Sequence, residues 1–250
     1  MDFHCHIDLY KQPREVYKQA VLRNEFTWLV TTSPRAYAAT SAALGQSGKI
    51  LITPGLHPEI AGQRSQELSL LLEQMAQSKG VGEVGLDGSA RHRATFTVQR
   101  MVFSAVLARS AELGGRLLSI HSRAAATDVL EELAHHPGFG VAVLHWFSGT
   151  MSELKAAAAM GCWFSVGPAM FNSASGRRLT AAMPHDRVVP ESDGPFAQVN
   201  GEPLMPWCEN QTIEHLSSAW SIPQVATANV LRENSQQLLQ LLEGHFIVQR

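Results

Sequence analysis

The stretch Met1–Asp8, MDFHCHID, organises the predicted fold: it is a short apolar run in which two histidines stand one residue apart. On a β-strand, residues two positions apart project to the same side, so His4 and His6 can aim their imidazoles at one point. That arrangement suits a divalent metal ion. The alternative is a half-buried edge strand with two surface histidines, and the rest of the chain decides between the two interpretations.

The composition limits the class of protein. The 250-residue chain is 45% hydrophobic, which is enough to bury a large core in one or two domains. Its formal net charge of -2 argues against bulk electrostatic attraction of nucleic acid, so any such contact must be local. The three cysteines, Cys5, Cys162 and Cys208, lack paired spacing, which indicates a reducing compartment. Neither a signal peptide nor a membrane-spanning segment is expected. We therefore predict a soluble, cytoplasmic protein.

Eight buried strand candidates alternate with helical stretches along the chain. The strands lie within Met1–Asp8 and at Phe26–Thr32, Ile50–Thr53, Gly80–Gly88, Arg116–Ile120, Val141–Leu144, Cys162–Val166 and Arg187–Pro190. The predicted helices include Gln66–Gln77, Pro223–Leu231 and Asn234–Leu242. This alternation predicts βα units and a parallel sheet, and eight such units predict a (β/α)8 TIM barrel. With no linker or repeat in the chain, one α/β domain over residues 1–250 is expected.

Ligand-type side chains stand at or just past the carboxyl ends of these strands. Glu83 is the most telling, because a glutamate inside a short apolar strand is costly unless a cation or a strong donor neutralises it. The full set is His4, His6, His57, Glu83, His121, His145 and Asp193. In a barrel those strand ends meet at one mouth, where active sites lie. For His57, which lies in a loop framed by glycine and prolines, a hydrogen bond to a backbone carbonyl is the alternative.

The number of ligands exceeds what one tetrahedral ion needs. Two divalent ions about 3.5–4 Å apart would use them, with Glu83 as the carboxylate that spans both. His4, His6 and Asp193 would complete one site, and His121 and His145 would complete the other. Such a pair activates water for attack on a phosphodiester or on a carbonyl, and Asp193 could orient that water. Glu83 and Asp193 are therefore also the catalytic candidates.

Six ordered motifs carry a family resemblance over essentially the whole chain. They are DFHCHID at the start, GLHP at Gly55–Pro58, GEVGLD at Gly82–Asp87, IHSR at Ile120–Arg123, HWFSG at His145–Gly149 and ESDGP at Glu191–Pro195. The chain resembles the TatD-like metal-dependent hydrolases, a branch of the amidohydrolase-type barrels. The resemblance implies a metal-dependent deoxyribonuclease, often a 3′-5′ exonuclease. It also implies that the metal ligands are His4, His6, Glu83, His121, His145 and Asp193, with His57 contacting water or phosphate.

The chain departs from the family pattern in one loop. Val199–Pro203 reads VNGEP and lacks the arginine that the family often carries there, which puts phosphate binding by this loop in doubt. Arg123, beside His121, could grip a phosphate instead. Trp146 could stack a terminal base, whereas ordinary packing is the expected role of Phe147. The resemblance implies an enzyme that acts on single-stranded DNA, and these features agree with one that binds the end of a strand.

The identity of the metal ion and the branch of the family to which the chain is similar stay open at this point. Histidine-rich ligation suits zinc, manganese or iron, whereas carboxylate and phosphate partners suit magnesium, which the resemblance favours. The opening motif and compact length are similar to the TatD-like component of Qat anti-phage defence systems, which implies a defence role and partner proteins. The alternatives are a two-metal ester or amide hydrolase, such as a D-aminoacyl-tRNA deacylase, and a non-catalytic metal-bound subunit of a defence complex. A monomer is expected.

Overall fold

Strands and helices alternate along the chain in the computed structural model, which describes residues 1–45 and 47–243. The eight parallel strands are β1 (Asp2–Cys5), β2 (Thr27–Val30), β3 (Ile50–Thr53), β4 (Gly80–Gly85), β5 (Arg116–His121), β6 (Gly140–His145), β7 (Trp163–Val166) and β8 (Val188–Pro190). The helices are α1 (Pro13–Arg23), α2 (Pro34–Leu44), α3 (Pro58–Arg64), α4 (Leu68–Met75), α5 (Phe96–Glu112), α6 (Ala126–His135), α7 (Met151–Ala159), α8 (Ala174–Ala182), α9 (Glu209–Trp220) and α10 (Gln224–Glu243).

Backbone hydrogen bonds join the strands into a barrel. Regular parallel pairing runs through β1–β2–β3 and through β4–β5–β6–β7–β8. At the first seam, Gly82 N donates to Pro54 O at 2.9 Å. At the second seam, Asp193 N donates to His4 O, also at 2.9 Å. The predicted (β/α)8 barrel is therefore confirmed. Candidate site residues lie at both seams, because Glu83 follows Gly82 at the first and His4 and Asp193 form the second.

On β5 and β6, one face of the strand is apolar at its start and polar at its end. Leu117, Val143 and Val189 belong to one buried apolar cluster within the barrel strands. Leu117 precedes His121 by four positions on β5, and Val143 precedes His145 by two on β6, so each pair shares a strand face. The interior is thus a packed core that gives way to ligand-type side chains at the carboxyl end.

The helix predictions need two corrections. The helix expected at Gln66–Gln77 is α4 alone, preceded by a 3-10 turn at Ser65–Glu67. The two helices expected at Pro223–Leu231 and Asn234–Leu242 are one helix, α10. Asn234 does not break it, because its amide turns away and donates to the carbonyl of His185 at 2.7 Å and to that of Val188 at 2.8 Å.

The segment after β8 contains a hairpin that sequence reasoning placed in a loop. Strands β9 (Gln198–Val199) and β10 (Glu202–Pro203) pair antiparallel across Asn200 and Gly201. Both turn residues have positive φ, 55° and 82°, as a tight two-residue hairpin turn requires. The predicted domain boundary at residue 250 lies outside the described residues. Among the described helices, none has both the length and the apolar character needed to cross a bilayer.

Candidate metal centre

The seven predicted ligand-type residues converge at the carboxyl end of the barrel. A cavity of about 710 Å³ opens there, and its lining includes His6, His57, Glu83, His121, His145 and Asp193. His4 is fully buried and sits against the same cluster. The shared position of these residues after successive strands explains their meeting, because parallel strands in a barrel direct their carboxyl ends to one mouth.

One carboxylate oxygen of Glu83 faces the histidines of the opening motif. Its Oε2 lies 3.2 Å from His6 Nε2 and 3.5 Å from His4 Nε2. The two imidazole nitrogens are 3.3 Å apart. Asp193 Oδ1 lies 3.6 Å from His4 Nε2 and 3.7 Å from His6 Nε2. We call these four residues the inner set.

The other oxygen of Glu83 faces three further histidines. Its Oε1 lies 2.9 Å from His121 Nδ1, 3.0 Å from His57 Nε2 and 3.1 Å from His145 Nε2. We call these histidines, with Glu83 Oε1, the outer set. The His145 ring also stacks on His4 with centroids 3.8 Å apart, so it stands at the boundary between the two sets. One glutamate is therefore shared between two groups of nitrogen donors.

The spacing within the inner set fits a divalent cation. Donor atoms bound at about 2.0–2.2 Å to one tetrahedral ion lie roughly 3.3–3.6 Å apart. The separations that join His4, His6, Glu83 and Asp193 run from 3.2 to 3.7 Å. Two buried imidazole nitrogens facing each other beside two carboxylates form a donor set for a cation, since burying such groups without one is costly. The residues present thus fit the metal that the sequence implies.

Two side chains hold His121 and His4 from behind. Asp87 Oδ2 lies 3.0 Å from His121 Nε2, and Ser119 Oγ lies 2.7 Å from His4 Nδ1. A hydrogen bond on the far ring nitrogen sets the tautomer and orients the near nitrogen toward the metal position. Sequence reasoning missed Asp87, although it closes the GEVGLD motif and was available as a signal.

Glu191 supports His145 and the loop after it. Its Oε1 accepts from Trp146 N at 3.1 Å, and its Oε2 accepts from Ser165 Oγ at 2.5 Å. The same Oε2 lies 3.6 Å from His145 Nδ1. Trp146 has a φ of 38°, a left-handed conformation that is uncommon for a large side chain. The carboxylate therefore holds the strained backbone of Trp146 by a hydrogen bond and lies beside the His145 ring without a hydrogen bond to it. The sequence did not indicate this role of Glu191 either, although Glu191 is the first residue of the ESDGP motif.

Asp2 ties the opening strand to the loop that carries Asp193. Its Oδ1 accepts from His4 N at 3.1 Å and from Ser192 N at 3.0 Å, and its Oδ2 accepts from Ser192 Oγ at 2.6 Å. Burial raises the pKa of Asp2 to about 7, although these hydrogen bonds act to lower it. Asp193 itself has a φ of 49°. This network fixes the position of the strand segment that carries His4 and His6 relative to the loop that carries Asp193.

The electrostatics of the cluster favour the ionised, negatively charged form of Glu83. Burial acts to raise the pKa of Glu83, but the neighbouring charges of His57 and His145 and the hydrogen bonds from His121 and His145 outweigh it and hold that pKa well below its usual range. Burial also raises the pKa of Asp193 to about 7, against the opposing effect of His145 and His6. Without a cation, Asp193 is therefore partly protonated near neutrality, and a bound cation would displace that proton.

The predicted substrate residues occupy different parts of the cavity. Arg123 is exposed and lines it, and within the described ranges it forms no ion pair. Trp146 lines it too, partly buried against apolar neighbours. Phe147 is fully buried and packs edge-on against Phe164, so its expected packing role is confirmed. The lining also includes residues not predicted from the sequence, namely Leu9, Thr32, Glu59, Ile60, Ser122, Ser148 and Phe196.

Solved structures share the fold over nearly the whole chain. YjjV, a TatD homologue from Escherichia coli K12, superposes with a TM-score of 0.84 at 21% identity, covering 95% of this chain and 96% of that one. A TatD-family hydrolase from Entamoeba histolytica gives a TM-score of 0.72 at 16% identity, covering 90% and 88%. At these identities the likeness establishes the fold.

Sequence relatives are named as nucleases. The 3′-5′ ssDNA/RNA exonuclease TatD of Pantoea vagans is 32% identical over 176 residues, which is 66% of each chain. Human deoxyribonuclease TATDN3 is 27% identical over an alignment that covers 93% of each chain. The match to the TatD exonuclease of Edwardsiella piscicida spans only 57% of that protein.

The family match covers most of the chain. The model of the family described as TatD related DNase matches residues 1–240. That range contains all six motifs and both sets of histidines around Glu83. The resemblance seen in the motifs is thereby confirmed, and the chain belongs to the TatD-related DNase family.

Proposed function

We propose that this protein is a divalent-metal-dependent phosphodiester hydrolase that removes nucleotides from the 3′ end of single-stranded DNA. The observation that carries the proposal is Glu83, whose two oxygens face separate groups of histidines. Such a shared carboxylate suits two neighbouring cations, an arrangement used for in-line displacement at phosphate. The names of the relatives from Pantoea vagans and human support the reaction class.

The inner set would hold one ion and the outer set the other. We include His57 among the outer ligands, because its Nε2 is as close to Glu83 Oε1 as the ring nitrogens of His121 and His145 are. When bound, the two ions neutralise charge on the phosphodiester and acidify a water molecule. Magnesium is the proposed ion in the working enzyme, with manganese and zinc as the alternatives that the histidines favour.

The chain's own residues position the reactants. Asp193 presents Oδ1 to His4 and His6, which leaves its second oxygen to orient the attacking water and to take up its proton. Arg123 on the rim supplies a planar fork for a phosphate. Trp146, which lines the same cavity, offers a ring face to a nucleobase of the bound strand. The cavity is a closed-ended pocket at the barrel mouth, which admits a strand end more readily than the middle of a duplex.

Several broader properties belong to the same proposal. We infer a cytoplasmic monomer in which one barrel domain accounts for residues 1–250. The three cysteines are free and buried, which agrees with a reducing compartment. A role in anti-phage defence with partner proteins rests on the similarity of the opening motif and of the compact length, and it stays a prediction.

Digestion of labelled oligonucleotides tests the reaction. Wild type and Glu83→Gln are incubated with a 5′-labelled single-stranded 20-mer and magnesium or manganese. Wild type should shorten the strand as a ladder, a 3′ block should slow it, and Glu83→Gln should leave it intact. RNA and duplex DNA of the same sequence measure the preference for single-stranded DNA.

Three controls separate the alternatives. Equal cutting of a circular single strand would identify an endonuclease. Cleavage of an ester or of a D-aminoacyl-tRNA with no loss of DNA would move the assignment to carbonyl hydrolysis. Full metal occupancy with no turnover of any of these substrates would favour the non-catalytic subunit.

A further inference from the structure

The rim of the cavity has two unlike edges on opposite sides of the metal centre. In an eight-stranded barrel whose strands follow chain order, β1 lies across from β5 and β4 lies across from β8. Leu9 follows β1 and Phe196 follows β8. Arg123 follows β5, and Arg91 and Arg93 follow β4. The topology therefore sets two apolar side chains opposite three arginines.

The apolar edge exposes side chains that contribute little to the core. Phe196 is 60% exposed and Leu9 is 43% exposed, and both line the cavity. The Phe196 ring meets the His6 ring edge-on, with centroids 5.0 Å apart, so it stands directly beside the inner set. A large exposed ring at the rim of a pocket offers a face for an aromatic ligand, and every nucleobase has such a face.

The basic edge is held by an anchored loop. His92 Nε2 lies 3.5 Å from Glu59 Oε1, and the His92 carbonyl accepts from Gln99 Nε2 at 3.1 Å. Arg91 and Arg93 flank this anchor, and both are exposed.

Backbone contact joins this loop to the next one. Gly88 N donates to Arg123 O at 2.9 Å, which connects the loops after β4 and β5. Within residues 1–45 and 47–243, Arg91, Arg93 and Arg123 form no ion pair with an acid, although Arg93 lies over the Phe96 ring. On a chain of net charge -2, this edge is a local concentration of free positive charge.

We propose that the two edges orient a single polynucleotide strand: the terminal base stacks on Phe196, and the backbone leaves the pocket over Arg123 and then over Arg91 and Arg93. The proposal rests on the nuclease function above and adds its substrate geometry. A single strand fits because its end base is free to stack on one edge while its phosphates extend across the other. In a duplex end, pairing and stacking already occupy that base.

Binding measurements test the basic edge. A hydrolysis-resistant phosphorothioate 10-mer is titrated against the metal-loaded protein at several salt concentrations. Each phosphate contact to a single strand contributes about 0.7 to the slope of log K against log salt. Arg91→Ala/Arg93→Ala should therefore reduce the slope by roughly 1.4. The matched control is Lys155→Ala/Arg178→Ala, which removes the same charge from exposed positions on α7 and α8 and should behave as wild type.

Length dependence provides a second measurement of the same edge. The kcat/KM of the Arg91→Ala/Arg93→Ala variant should fall about 10-fold for a 10-mer and by a clearly smaller factor for a dinucleotide. An unchanged salt slope, or equal losses on the dinucleotide and the 10-mer, would overturn the proposed path.

Replacement of the ring tests the apolar edge. Phe196→Ala should lower kcat/KM about 5- to 100-fold on a strand with a normal 3′ base, the range expected for losing one base stack. On a strand whose 3′ nucleotide is abasic, the variant should match wild type. Phe196→Tyr keeps the ring and should restore activity on the normal strand. Equal loss on normal and abasic strands would overturn stacking.

The outcomes for this geometry and for the nuclease function are distinct. If wild type cleaves no oligonucleotide, the nuclease function fails. The salt slopes are still measured in that case, and a slope that Arg91→Ala/Arg93→Ala does not change would overturn the strand path as well. If wild type cleaves and the variants behave as wild type does, the function stands and the orientation is wrong.

Discussion

The inner and outer sets differ in how far they are open to the cavity, although one carboxylate serves both. The side chains of His4 and His6 are 0% and 1% exposed, whereas those of His57 and His121 are 15% and 12% exposed. The inner histidines share one short strand segment, whereas the outer ones come from three separate strand ends. If each set binds an ion as proposed, the inner ion would be held more rigidly, and the outer ion would exchange more readily and meet the substrate.

Removal of the shared carboxylate should have the largest effect. In Glu83→Gln both sets lose their common anion, so metal content should fall from about two ions to less than one per chain. Activity should fall by about 1,000-fold or more, because several kcal/mol of charge stabilisation disappears. Elemental analysis and turnover measure the two outcomes. Full occupancy together with full turnover would show that Glu83 does not bridge the sets.

A methyl group placed behind Glu83 should disturb both sets without removing a ligand. A Cβ built on Gly55 lies 2.4 Å from Glu83 N and 2.4 Å from Thr31 O, so Gly55→Ala must shift one of these backbones. We expect a loss of about 100-fold in kcat, because a displacement near 1 Å can cost that much. Overpacking should also lower the free energy of unfolding by about 1–3 kcal/mol.

Gly48 provides the matched control for that substitution, because a Cβ there meets nothing within 4 Å. Gly48→Ala should keep the kcat and the thermal stability of wild type. Equal behaviour of the two alanine variants would show that the close approach of Gly55 does not set the position of Glu83.

Substitutions behind the rings should separate the two sets. Asp87→Asn weakens the contact that orients His121, so affinity for the outer ion should fall about 10- to 100-fold while the inner ion stays bound. Ser119→Ala removes the hydrogen-bond partner of His4 and should lower the affinity for the inner ion instead. Metal titration by calorimetry resolves the two affinities. Loss of the same ion in both variants would contradict the division into two sets.

Acidification should lower the affinity for the inner ion, by a smaller factor than the substitutions above. The pKa of Asp193 is raised to about 7 in the metal-free protein, so its carboxyl is mostly protonated below neutrality, and a cation must displace that proton. Between pH 8 and pH 6 the deprotonated fraction falls about tenfold, and metal affinity should fall by at least that factor.

The sign of this pH effect follows from the direction of the shift. A carboxyl whose pKa is raised by folding favours the protonated folded form, so higher pH strengthens metal binding and destabilises the metal-free protein near neutrality. Asp193→Asn should flatten the pH dependence of metal affinity between pH 6 and pH 8. The same steep dependence in the variant would assign the proton to another group.

The barrel and the position of most candidate ligands were predictable from local pattern. Buried β-branched runs separated by helices predict the parallel strands, and ligand-type residues after each strand predict a common mouth. The supporting groups were harder to find. Asp87 and Glu191 lie inside the motifs, but their contacts to His121 and His145 join residues 34 and 46 positions apart in the chain. No local periodicity records such pairings.

The sequence by itself determined the strand order, the ligand types and their placement at strand ends, because these depend on residue chemistry and on a repeat of two along each strand. Only the tertiary structure decided which oxygen of Glu83 faces which histidine, and that His57 joins the outer set. It also decided that the Phe196 ring stands edge-on to the His6 ring at the rim of the cavity. Those relations arise when the barrel closes, which brings distant segments to within a few ångströms of one another.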